Sequence, residues 1–137
     1  MFVLDSRLEK DCVALGKING FILLLLNNSL VTWFVLVPEV EETEIYELDK
    51  ETQLNLLETV NNISKFIKTE FKIDKLNVAA IGNVVRQLHI HIVGRTESDF
   101  CWPGVVWGAE GKKSYSEKVA RRQCRLTKYA IIRRAKT

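Results

Sequence analysis

Long apolar runs are missing from this 137-residue chain. The longest, "FILLLL" from Phe21 to Leu26, is far short of the ~20 residues that a membrane-spanning helix needs, so no membrane role is expected. The opening "MFVLDSRLEKD" has no basic stretch followed by an apolar one, and no secretory signal is expected. Cysteines number three, an odd count, and Cys12, Cys101 and Cys124 form no CxxC pair. That argues against a disulfide framework or a cysteine zinc site and for a reduced, cytoplasmic setting. Internal repeats, low-complexity segments, a glycine-rich phosphate loop and a suitably spaced carboxylate pair are also lacking. Histidine is scarcest of all the reactive residues: there are two, His89 and His91.

What is present suits one soluble domain. At 47% hydrophobic and 27% charged residues, the chain can bury a single core. Net charge is +3 but unevenly spread: residues 112–137 carry +9 and residues 1–111 carry −6. A basic C-terminal segment can attract phosphates or nucleic acid. A solvated helix face is the simpler reading, so nucleic acid is an unfavoured partner.

The apolar pattern predicts the order of elements. A helical turn and a short strand are expected around Cys12 to Leu15. "FILLLL" and "LVTWFVLV", separated by "NNS", predict a β-hairpin, because Asn tolerates the left-handed backbone such turns require. Pro38 ends the second strand and an acidic loop follows. Asp49 is the expected N-cap of a helix running to about Phe71. Within it Leu56, Val60, Ile63, Ile67 and Phe71 form one apolar stripe. "VAAI" reads as a strand, Gly82 as a turn, and Val84 to Val93 as the next strand. The segment containing Trp102, Pro103 and Trp107 reads as a loop, whose aromatics can stack a base or simply pack. A basic helix closes the chain. The sum is an α+β fold, an antiparallel sheet with one long helix and a C-terminal helix packed on it.

The strand around "RQLHIHIVGR" divides its side chains between two faces. Leu88, Ile90 and Ile92 face the long helix. Gln87, His89 and His91 face the other way, with Asn83 of the same parity. A buried polar face without partners costs a few kcal/mol per group, so a cleft is expected there. Two imidazoles so placed allow three roles. They fall short of the three or four protein ligands zinc usually takes, so no metal is expected. They can be structural. Or one can attack phosphorus while the other, protonated, holds phosphoryl oxygens or gives up a proton. Arg86 and Arg95 flank the strand and can attract phosphate, though exposed surface charges are the simpler reading.

"NVVRQLHIHIVGR" resembles the central motif of the histidine-triad family, His-φ-His-φ-His-φ-φ with φ apolar. Gln87 takes the first histidine's place, His89 the second and His91 the third. The resemblance is greatest to small bacterial histidine-triad proteins with Gln at the first position and a Trp-Pro loop after it. It runs from about Leu23 to "WPGVVWG". It implies a histidine-triad-like domain over residues 1–111, with 112–137 as a basic helix or tail packed on it. It implies a homodimer and a nucleotide or dinucleotide substrate, cleaved through a nucleotidyl-histidine intermediate without a cofactor. By the same resemblance His89 is the nucleophile and His91 sits by the α-phosphate. Asn83 and Gln87 contact phosphate, and Asn77 and Asn27 line the nucleotide pocket. Two departures stand out: Gln87 cannot donate a proton, and nothing supplies the fourth upstream histidine that many members carry. Two rivals stay open, a nucleotide-binding protein without turnover and a nucleic-acid-associated protein using the basic tail. Product formation separates the first from an enzyme; a steep salt dependence would favour the second.

Overall fold

A computed structural model describes residues 1–132. In chain order it contains α1 (Ser6–Asp11), β1 (Cys12–Ile18), β2 (Phe21–Leu26), β3 (Thr32–Val37), α2 (Lys50–Phe71), β4 (Lys75–Ala79), β5 (Ile90–Arg95) and α3 (Glu117–Thr127). The strands form one sheet in the order β1-β2-β3-β5-β4, every neighbouring pair antiparallel. The expected α+β architecture is the observed one.

One face of the sheet packs on α2. Asp49 starts that helix as expected, its carboxylate accepting from the Thr52 N–H at 2.7 Å. Leu56, Val60, Ile63 and Ile67 bury the stripe against Leu23, Phe34, Leu36, Ile90 and Ile92. Gly94 lets the helix side approach: a Cβ there would lie 2.8 Å from Cγ2 of both Ile67 and Ile73. The opposite face carries Leu24, Trp33, Val35, Val37 and Val93, covered by Leu8 of α1 and by Val106. Both faces are therefore apolar at the centre, and polar side chains on the second one need partners.

The basic C-terminal segment packs on the same body, as far as it is described. Ser116 caps α3 by accepting from the Val119 N–H at 3.2 Å. Ile131 and Ile132, in a wide turn over Lys128–Ile132, are buried with the α2-side core. Residues 133–137 of the expected basic helix or tail lie outside the described residues. Among the described residues no helix is long and apolar enough to cross a membrane.

Three boundaries differ from the pattern. β1 reaches Ile18, and "VAAI" contributes only its first residues to a strand that begins at Lys75. Residues 84–88 are irregular rather than part of the histidine strand. Gly82, at φ +67°, turns the chain. Beyond it the Val84 carbonyl accepts from Arg7 Nη1 at 3.0 Å, so a side chain takes the place of a ladder partner.

Candidate active site

β5 is the second-last strand of the sheet, and His91 lies opposite Val35 of β3 and Ala79 of β4. Paired residues share a face, so His91 points away from α2, as the alternation predicts. His89 lies just before β5 and points the same way, the two ring centroids 4.9 Å apart and edge to face. Both imidazoles are buried.

Their outer hydrogen bonds set different tautomers. His89 Nδ1 is 2.7 Å from the backbone carbonyl of Gln87. A carbonyl only accepts, so Nδ1 carries the proton and Nε2 keeps its lone pair. His91 has the reverse arrangement. The buried Trp33 indole Nε1–H donates to His91 Nδ1 at 2.9 Å. Indole nitrogen only donates, so His91 carries its proton on Nε2. Burial, then the neighbouring His89, push the His91 pKa down to about 4. Both effects, with the Trp33 donor, favour an uncharged His91 ring that presents Nε2–H over the protonated ring the spacing also allowed. Its ring also makes edge contacts with Trp33, at 5.7 Å, and with Trp107, at 5.5 Å. The buried Trp107 Nε1–H has no partner among the described residues, leaving a donor whose satisfaction by a ligand oxygen or a water is worth about 1–3 kcal/mol.

A polar cleft of about 300 Å³ opens beside His89. Asn83, Arg86 and Gln87 line it together with His89, and Thr43 and Glu44 form part of its wall. The structure thus brings His89, Asn83 and Gln87 together, with the His91 ring 4.9 Å from that of His89. Gln87, however, has its amide engaged. Its Oε1 accepts from the Asp5 N–H at 2.8 Å, and its Nε2 donates to the Val3 carbonyl at 2.9 Å. The first triad position pins the N-terminal segment, and one Nε2–H remains for another acceptor, since the amide nitrogen has two donors and Val3 takes one.

The other two expected residues lie elsewhere. Asn77, on β4, shares the histidine face, but its Oδ1 accepts from Arg95 Nη1 at 3.1 Å, at the rung of Val93. Asn27 sits at the far end of β2, its Oδ1 accepting from the Tyr115 N–H at 2.8 Å. It holds the C-terminal segment, away from the cleft. Arg95 is not a surface charge. It is buried and grips Asp99 by two bonds, Nε to Oδ2 at 2.7 Å and Nη2 to Oδ1 at 2.9 Å, beneath the Trp102 ring. That ion pair holds the Asp99 carboxyl below the usual carboxylate range. Asp99 also accepts from the N–H groups of Thr96 and Cys101, at 3.2 Å each, and so shapes the Trp-Pro loop.

Residue pattern alone did not reveal Trp33 or the N-terminal segment as parts of the site. Trp33 shares parity with Val35 and Val37, but only the β3–β5 register puts it beside His91. Among the described residues no three of His, Cys, Asp and Glu cluster as a metal site.

Comparison with known proteins agrees with the fold. The HIT domain family model matches residues 7–98. A histidine triad protein from Marinobacter aquaeolei is 37% identical, with a TM-score of 0.92 over 97% of this chain and 98% of that one. A histidine triad protein from Bradyrhizobium japonicum is 32% identical, with a TM-score of 0.91 over 95% and 98%. One from Sinorhizobium meliloti is also 32% identical at 0.91, over 96% and 98%. No curated protein matches the chain.

Proposed function

Because the chain belongs to the histidine triad (HIT) family, we propose that it is a nucleotide phosphohydrolase or nucleotidyl transferase working through a nucleotidyl-histidine intermediate at His89. Family membership implies nucleotide binding or hydrolase or transferase chemistry on nucleotides; the intermediate and its residue are the finer reading. The observation that carries it is the 2.7 Å contact between His89 Nδ1 and the Gln87 carbonyl. It leaves the Nε2 lone pair free on a side chain that lines a polar cleft.

The chemistry follows from the tautomers. His89 Nε2 attacks the α-phosphorus, an N–P bond forms, and the bond from phosphorus to the leaving group breaks. Positive charge that develops on the imidazole is met by the Gln87 carbonyl through Nδ1–H. His91 Nε2–H donates a hydrogen bond to a non-bridging phosphoryl oxygen as negative charge grows there. Asn83 supplies a further amide donor from the cleft wall. Water, or an acceptor hydroxyl, then attacks phosphorus, the N–P electron pair returns to Nε2, and the attacking group's proton passes to solvent.

Mass spectrometry of protein quenched early with a nucleotide donor tests the reading. A nucleotide adduct is expected on His89, and His89→Ala should lose several orders of magnitude in rate. His91→Ala should lose less, about 10² to 10⁴. An adduct on His91, or near-normal turnover by His89→Ala, refutes it. Tight nucleotide binding with neither adduct nor product would favour the binding protein without turnover. A two-fold homodimer in a cytoplasmic setting belongs to the same reading. The free state of Cys12, Cys101 and Cys124 suits the setting, and β4 stands at an edge of the sheet, open to a second copy. A monomer in sedimentation at micromolar concentration would remove the dimer.

A further inference from the structure

We propose that Arg86 is the leaving-group site of this cleft, and that the site accepts leaving groups that depart as anions rather than ones that must be protonated. The inference rests on His89 being the nucleophile, and deepens that reading by assigning the atoms that receive the departing group.

Two observations meet here. The first is what the cleft offers. Arg86 lines it with His89, is exposed, and joins no ion pair among the described residues. Arg7 and Arg95, by contrast, are each tied to a carboxylate. A guanidinium presents a planar fork of donors that matches a phosphate and keeps its own protons in the process.

The second is what the cleft withholds. Breaking a P–O or P–N bond to a basic oxygen or nitrogen needs a proton delivered to the departing atom. Gln87 carries no acidic proton, and both ends of its amide are bound to Asp5 and Val3. His91, beside His89, can offer only the Nε2–H of a neutral ring, because Trp33 occupies Nδ1. His89 spends its lone pair on phosphorus and its one proton on the Gln87 carbonyl. At the rim, Asp5 is salt-bridged to Arg7, which keeps its carboxyl below the ordinary range and therefore ionised. Glu44 is the one carboxyl among the residues that line the cleft.

The balance of the step is then fixed. The Nε2 pair makes the N–P bond, and the P–O pair leaves with the oxygen. No proton moves, and the anion stays against Arg86 until it diffuses away. A polyphosphate leaving group satisfies this, being weakly basic and already charged. An alkylamine, expelled as an amide ion, does not.

Three donors sharing one nucleoside 5′-phosphoryl group separate the possibilities: a dinucleoside tetraphosphate, a p-nitrophenyl ester and an alkylamine phosphoramidate. The tetraphosphate and the nitrophenyl ester should form the His89 adduct, with kcat/KM for the phosphoramidate lower by about 10³-fold or more. Arg86→Gln, a surface change that should not disturb folding, should cost the tetraphosphate at least tenfold more than it costs the nitrophenyl ester. Glu44→Gln should keep the spread between the nitrophenyl ester and the phosphoramidate. No adduct from any donor overturns the nucleophile itself. An adduct together with a phosphoramidate rate within tenfold of the tetraphosphate overturns the leaving-group assignment alone. Equal losses for both esters in Arg86→Gln, or a spread that widens in Glu44→Gln because a proton donor has been removed, overturns it as well.

Discussion

Trp33→Phe isolates the hydrogen bond that sets the character of His91. The substitution keeps a buried aromatic ring but removes the Nε1–H that donates to His91 Nδ1 at 2.9 Å. In the unaltered protein, burial and His89 lower the His91 pKa from 6.5 to about 4. The indole bond acts in the same direction, because it favours the neutral ring. A buried hydrogen bond is worth about 1 kcal/mol net, so its loss should raise the midpoint by roughly one unit. The sign of the stability effect follows. The folded pKa lies below the unfolded one, so between pH 6.5 and 4 the unfolded chain takes up a proton that the folded chain refuses. Stability should therefore fall with pH across that window, by about 3 kcal/mol in total. Trp33→Phe should be less stable at pH 7 by about 1–2 kcal/mol and should lose less on acidification. Nitrogen-15 NMR of the two imidazoles reads both quantities, since tautomer and protonation have distinct shifts and a chain with two histidines gives two sets of signals. A midpoint near 6.5 for His91 in the unaltered protein, an Nδ1–H tautomer there, or no change in Trp33→Phe would refute the reasoning.

Other substitutions test the supports of the site. Gln87→Ala should free the Asp5 amide and the Val3 carbonyl; hydrogen exchange at Asp5 should quicken at least tenfold, while His89 keeps its tautomer because its acceptor is backbone. Asp99→Asn should strand the buried Arg95 charge and cost about 3–5 kcal/mol, read as a melting temperature lower by about 10–20 °C; a shift under ~3 °C would mean the pair is not buried in solution. Gly94→Ala should cost about 1–3 kcal/mol by pushing a methyl against Ile67 and Ile73. Urea unfolding checks it, and an unchanged midpoint would show that α2 does not press on β5 as closely as described.

Local chemistry made some of this legible in the sequence. Asp49 reads as an N-cap because capping needs only the next three residues, and the Leu56 to Ile67 stripe reads as core because a helix repeats its face. The opposed faces of Leu88, Ile90 and Ile92 and of the histidines follow from strand parity alone. What stayed hidden depends on partners far along the chain. Gln87 reads only as a phosphate contact, and its hold on Val3 and Asp5 is invisible until the N-terminal segment folds against its amide. Arg95 reads as a surface charge until Asp99 folds back over it. Residues 84–88 read as strand because their apolar pattern continues, yet Gly82 and Arg7 take them out of the sheet. Asn27 has the polarity expected of a pocket residue, but Tyr115 claims its oxygen.

The strand order also bears on when the site comes into being. β1, β2 and β3 follow one another through short turns and can zip together locally. β5 can join β3 only after α2 and β4 have been looped out, and Trp33 and His91 are separated by 58 positions. Closing so large a loop spends chain entropy before any contact repays it, and such pairings tend to come late. His91 should therefore stay without its Trp33 partner through most of the folding reaction, whereas the bond from His89 to the Gln87 carbonyl is local. Substitutions at Trp33 that weaken the β3–β5 seam should mainly speed unfolding, whereas those in the β2–β3 hairpin should slow refolding. Stopped-flow chevrons of the two kinds of variant would show it, and a Trp33 change that acted wholly on the refolding arm would place the histidine strand in the folding nucleus instead.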